Sequence, residues 1–132
     1  MFRLERQYAE EMIAHARAEA PHECCGLLAG SQGRVKHLYR ARNADHSPVR
    51  YSLDPKELFG YIRDIEDRDW DLLGIYHSHT HTEAYPSATD VKLAFWPDSL
   101  YFIISLERPE EPYIRAFRIL EGKIGEEELR IE

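Results

Sequence analysis

Apolar positions recur along the chain with two periods, and the changes of period predict its elements. Over residues 5–19, Tyr8, Met12, Ile13 and Ala16 fall on one helical face, with glutamate and arginine opposite, and Pro21 ends the run. Residues 24–29 are a short apolar stretch before Gly30, which predicts a buried strand. Residues 34–41 alternate Val35 and the Leu38-Tyr39 pair with basic side chains, predicting a partner strand joined through Gly33 in a Ser-Gln-Gly-Arg turn. A loop over 43–48 and a short extended segment at Tyr51-Ser52-Leu53 follow. Asp54 then caps a helix that Pro55 opens and that runs to about Asp67, with Leu58, Phe59, Ile62 and Ile65 facing inward. Residues 72–77 predict a strand, 87–95 a helix, and 100–106 a central apolar strand. Residues 113–120 and 123–131 close as a hairpin around Glu121-Gly122. The order α-β-β-α-β-α-β-β-β predicts one domain over residues 1–132, a mixed α/β or α+β sheet with helices packed on it.

Composition narrows the class. A chain of 132 residues buries a core without disulfide staples. Its net charge of −7 argues against a general nucleic-acid binder, because phosphate contacts dominate that affinity. Arg34, Lys36, Arg40 and Arg42 form a local basic stretch, read as a solvated strand face, with docking of an acidic partner as the alternative. No apolar run approaches the roughly 20 residues that span a bilayer, and the first residues lack the apolar core of a signal peptide. The expectation is a cytoplasmic protein that binds neither nucleic acid nor membrane. Cys24 and Cys25 are adjacent, a spacing that suits neither a mutual disulfide nor a C-x-x-C knuckle, so they read as buried small apolar residues in a reducing compartment.

Candidate chemistry concentrates between His77 and Asp90. His77 and His79, two apart in extended chain, point to one face at a strand end, and Gly74 upstream admits close approach of another element. Two solvated loop histidines would give the same pattern. Asp90 lies three residues after Ser87, a spacing that is also a capping box, and Pro86 stiffens the entry. The two readings are compatible, because a helix starting at Ser87 fixes Asp90 in its first turn. Two imidazoles and a carboxylate are a catalytic zinc set with one position open. His81 continues the period of two and would make a three-histidine set. Three ligands in a row on one strand reach tetrahedral geometry poorly, so His81 reads better as a loop residue near substrate. Hydrolysis also needs a base, and Glu23, at the mouth of the apolar strand, is the candidate, with Glu83 a weaker rival.

Together, Glu23, His77-x-His79 and Pro86-Ser87-x-x-Asp90 resemble the signature of the JAMM (MPN-plus) metalloprotease family. The segment 21–30, Asn43 followed by Ser47-Pro48, and the run 53–58 also resemble it, so the match covers most of residues 5–106. Thr80 departs from the family, which has proline there. The resemblance implies a cytidine-deaminase-like α/β fold and Zn2+ held by His77, His79 and Asp90. It implies Glu23 as general acid/base and Ser87 as a stabiliser of the oxyanion. In its single short domain the chain resembles the small bacterial and archaeal members. That implies a substrate class of ubiquitin-like or sulfur-carrier proteins cut after the C-terminal diglycine, with cysteine as one leaving group. The alternatives are a non-catalytic MPN-like binding scaffold and a three-histidine zinc hydrolase acting on a small molecule. The carrier, the leaving group and the association of copies into an oligomer stay open.

Overall fold

The computed structural model describes residues 1–132. Along the chain lie β1 (Phe2–Leu4), α1 (Arg6–Glu19), β2 (Cys25–Ser31), β3 (Arg34–Ala41), α2 (Pro55–Asp67), β4 (Asp71–His79), α3 (Ala88–Lys92), β5 (Leu100–Ser105), β6 (Tyr113–Leu120), β7 (Lys123–Glu127) and β8 (Leu129–Ile131). Six strands form one sheet in the order β3-β2-β4-β5-β6-β7, and β1 pairs with β8 in a second, parallel pair. Within the large sheet only β4 and β5 run parallel.

The continuous apolar runs of β2 and β5 follow from burial on both faces. On one face α1 supplies Ala9, Met12 and Ala16 to a core with Leu28, Tyr76, Phe102 and Ile104. On the other, α2 supplies Ile65 and the half-buried Leu58 and Ile62 to a core with Leu27, Ile75, Tyr101, Ile103 and Phe117. Gly74 is the close approach its type allows, since a methyl there would overlap the Phe102 ring.

The expected architecture stands, with four local corrections. Phe59, read as inward, is 66% exposed, because α2 turns only a narrow stripe to the sheet. The strand read as 72–77 continues to His79, so both histidines lie inside β4 and not past its end. The helix read as 87–95 is only Ala88–Lys92: Leu93 is its C-cap, and the Trp96 amide turns to the Tyr101 hydroxyl in place of a helical carbonyl. The last strand, read as 123–131, breaks at Glu128, and its end pairs with β1, a strand too short to show any alternation.

Candidate active site

Register decides which face the histidines take. Cys25 pairs with His77 on one side of β4, and Ile103 and Ser105 pair with His77 and His79 on the other. A one-residue slip would turn both imidazoles to the α1 side. As built, they lie on the α2 side, 1% and 5% exposed. The Tyr51 ring stacks on His77 with centroids 4.4 Å apart.

Asp90 arrives from the start of α3. Ser87 Oγ accepts from the Asp90 amide at 3.1 Å, and the Ser87 amide donates to Asp90 Oδ2 at 2.9 Å, so the capping box is complete. The same Oδ2 lies 3.1 Å from His77 Nε2 and 3.0 Å from His79 Nε2. The two Nε2 atoms are 3.3 Å apart. Cap and cluster therefore coexist in one carboxylate. The Glu83 carbonyl can only accept, so His79 Nδ1, 2.8 Å away, carries a proton, and the ring turns Nε2 toward Asp90.

Glu23 completes the cluster. The β2–β4 register, continued two residues beyond Cys25, sets it opposite His79. Its amide donates to the Ser47 carbonyl, and its carbonyl accepts from Asn43 Nδ2 at 3.0 Å. Asn43 Nδ2 also donates to the Arg50 carbonyl, and Asn43 Oδ1 accepts from Asp45 and Ser52 amides, which pins the 43–53 loop against Glu23. Neither the Asn43 clasp nor the Tyr51 stack was assigned a role from the sequence. An asparagine between a strand and a loop is common, and only the fold shows that this one is buried with every group used.

The electrostatics follow from burial and from one another. Burial pushes the Glu23 carboxyl up to about 8, with His79 pulling it down and Asp90 raising it further. Burial also works to raise Asp90, but the hydrogen bonds to His77 and His79 hold it well below the usual carboxylate range. Burial drives His77 below its ordinary value despite Asp90. It acts the same way on His79, yet the bonds to Asp90 and the Glu83 carbonyl leave that ring raised. Two buried atoms find no partner, Glu23 Oε1 and His77 Nδ1.

The donor atoms of His77, His79 and Asp90 form a triangle with edges of 3.0–3.3 Å. A tetrahedral cation with bonds of about 2.0–2.1 Å needs ligand edges of about 3.3 Å. The triangle and the orphaned Glu23 oxygen beside it fit a divalent metal ion. His81 is exposed and outside this group, and Glu83 is engaged through its carbonyl, with its residue exposed. The structure thus brings together Glu23, His77, His79, Ser87 and Asp90, and leaves His81 out.

A mixed sheet that delivers a His-x-His pair from a central strand to a helix-start aspartate defines a JAB/MPN-type domain with a metal-ligand set. The chain belongs to the prokaryotic homologs of the JAB domain, whose family pattern matches residues 5–120. It is 45% identical over 122 residues to a CysO-cysteine peptidase of Mycobacterium tuberculosis, covering 91% of this chain and 84% of that one. It is 40% identical over 103 residues to a desampylase of Haloferax volcanii, covering 73% and 74%. A solution structure of a protein from Desulfitobacterium hafniense matches with a TM-score of 0.89 at 40% identity, covering 100% of this chain and 93% of that one.

Proposed function

We propose that the chain is a zinc-dependent peptidase that hydrolyses the bond after the C-terminal diglycine of a sulfur-carrier or ubiquitin-like protein, with cysteine among its leaving groups. The observation that carries this reading is the buried triangle of His77, His79 and Asp90 beside an unpartnered Glu23 oxygen. The relatives' names, a CysO-cysteine peptidase and a desampylase, support this substrate class. The reading takes residues 1–132 as one catalytic domain. It places the protein in the cytoplasm, which two buried free cysteines support. No helix is long and apolar enough to cross a membrane.

His77, His79 and Asp90 would hold the ion. When bound, it supplies Lewis acidity, bringing water toward ionisation near neutrality and polarising the scissile carbonyl. Glu23 takes the proton from the attacking water and returns it to the leaving amine, a role suited to a carboxyl whose affinity for protons burial has raised. Ser87 Oγ accepts from the Asp90 amide, so its own hydroxyl proton stays free to donate to the oxyanion. A groove of about 220 Å³ runs from Tyr51 past Leu53 and Leu58 to Leu93, Phe95 and Trp96. A tail of two glycines, having no side chains, suits entry beside Tyr51 and His77.

The test is mass spectrometry of purified carrier–cysteine adducts incubated with the protein, with and without a chelator. Loss of the added cysteine mass, abolished by chelation and restored by Zn2+, is expected. Intact adducts in the presence of zinc-loaded protein would overturn the substrate assignment, and near-absence of bound zinc after loading would return the chain to the scaffold reading.

A further inference from the structure

His79, Ser105 and Tyr113 form one row across the sheet. His79 pairs with Ser105 between β4 and β5, and Ser105 pairs with Tyr113 between β5 and β6. The loop that leads to Ser87 crosses this row, and each member grips a successive loop residue. Ser105 Oγ donates to the Thr82 carbonyl at 2.6 Å, His79 Nδ1 donates to the Glu83 carbonyl at 2.8 Å, and the Ala84 amide donates to Tyr113 Oη at 3.2 Å. Tyr113 in turn donates to the Glu107 carboxylate. Tyr85 then packs edge-on against Phe117 of β6, with centroids 5.4 Å apart.

Two of these bonds share one peptide unit. The Glu83 carbonyl and the Ala84 N–H belong to the same resonant amide, so donation from its nitrogen makes its oxygen a better acceptor. Ala84 is wholly buried and Tyr113 half-buried, while Glu107 at the end of the relay is exposed. Every bond in the chain points the same way, from His79 through the peptide and the phenol to the carboxylate. Negative charge at Glu107 therefore raises electron density on the His79 ring and holds a proton on Nδ1.

We propose that Tyr113 and Glu107 are positioning residues that orient His79 and strengthen its hold on a metal ion, acting through the Glu83–Ala84 peptide. Outer partners of metal-bound imidazoles change metal affinity by about 10–100-fold when removed. This one is unusual in acting through a backbone amide and a tyrosine, not directly. The inference rests on the metal reading above.

The experiment is a competition titration of Zn2+ between a chromophoric chelator and wild-type, Tyr113→Phe and Glu107→Gln proteins, with NMR of the His79 Nδ1 proton in the zinc-loaded forms. Tyr113→Phe keeps the ring and its packing but removes the hydroxyl, and a loss of zinc affinity of about tenfold is expected. Glu107→Gln keeps an acceptor for the phenol but removes the charge, and a smaller loss of about threefold is expected, as for a charge-assisted bond made neutral. In both variants the His79 proton resonance shifts upfield. A tyrosine that merely anchors the loop predicts no change of affinity or resonance in Glu107→Gln, and that result would overturn the proposal. Equal zinc affinity in all three proteins would overturn it while leaving the metal site intact. A wild-type protein that takes up no zinc would remove both.

Discussion

Tyr76 and His77 are neighbours in β4 that face opposite cores, and each belongs to a buried polar group. On the α1 side, the Tyr76 hydroxyl lies 2.7 Å from His15 Nδ1, and the pair leaves no buried atom without a partner. On the α2 side, His77 shares Asp90 with His79, and the cluster leaves His77 Nδ1 and Glu23 Oε1 unspent. Burial is equally complete in both. The difference is spare bonding capacity: a closed polar pair is packing, whereas three converging ligand atoms with an unpartnered buried carboxylate oxygen close by fit an ion.

The sharpest break between the two sides comes from Glu23→Gln. The variant should lose more than about 10³-fold in turnover, beyond what one general base contributes at the low end, while binding zinc as wild type does. Steady-state kinetics with metal analysis of the same sample checks both halves, and full activity would refute the assignment of Glu23. Ser87→Ala comes next. Loss of an oxyanion donor should lower kcat by about 10²-fold, and loss of the cap should cost about 1 kcal/mol in stability. If only the stability changes, the serine is a cap and nothing more.

On the α1 side the effects are confined to stability. Burial first, and the Arg40 charge second, hold His15 down at about 4, below its ordinary 6.5. The unfolded chain therefore takes up this proton before the folded one does. Stability should fall as pH drops from about 6.5 to about 4 and level off below, by on the order of 3 kcal/mol. Urea midpoints against pH for wild type and His15→Gln isolate the effect, since the variant lacks that segment of the curve. Tyr76→Phe is the smallest change. It strands the His15 nitrogen at a cost of about 1–2 kcal/mol and leaves zinc affinity untouched. A variant that altered zinc binding would show that the two faces are coupled through β4.

Much of this was legible beforehand, and the failures share a cause. The long elements carry their own periodicity, so α1, β2, β3 and β5 appear within a residue or two of their predicted bounds. Most of the candidate site could be read because His77, His79, Ser87 and Asp90 lie within fourteen residues, where spacing still encodes geometry. Glu23 sits far off in sequence; its place at the mouth of the apolar strand makes it a candidate base, and the β2–β4 register, continued past Cys25, sets it opposite His79. The β1–β8 pair joins segments at opposite ends of the chain, each three residues long, and no local pattern announces such a pairing. Nothing in the helical pattern of residues 5–19 singles out His15. Its burial depends on the Tyr76 hydroxyl arriving from a strand 61 positions away.

One oxygen links local folding to loading. Asp90 Oδ2 receives the amide that starts α3 and also faces both imidazoles. Five helical residues are too few to nucleate unaided. Whatever ion engages that oxygen steadies the turn, and by thermodynamic reciprocity whatever steadies the turn tightens the ion's grip. Under the proposed metal reading, fraying of this short segment and release of the ion are thermodynamically coupled.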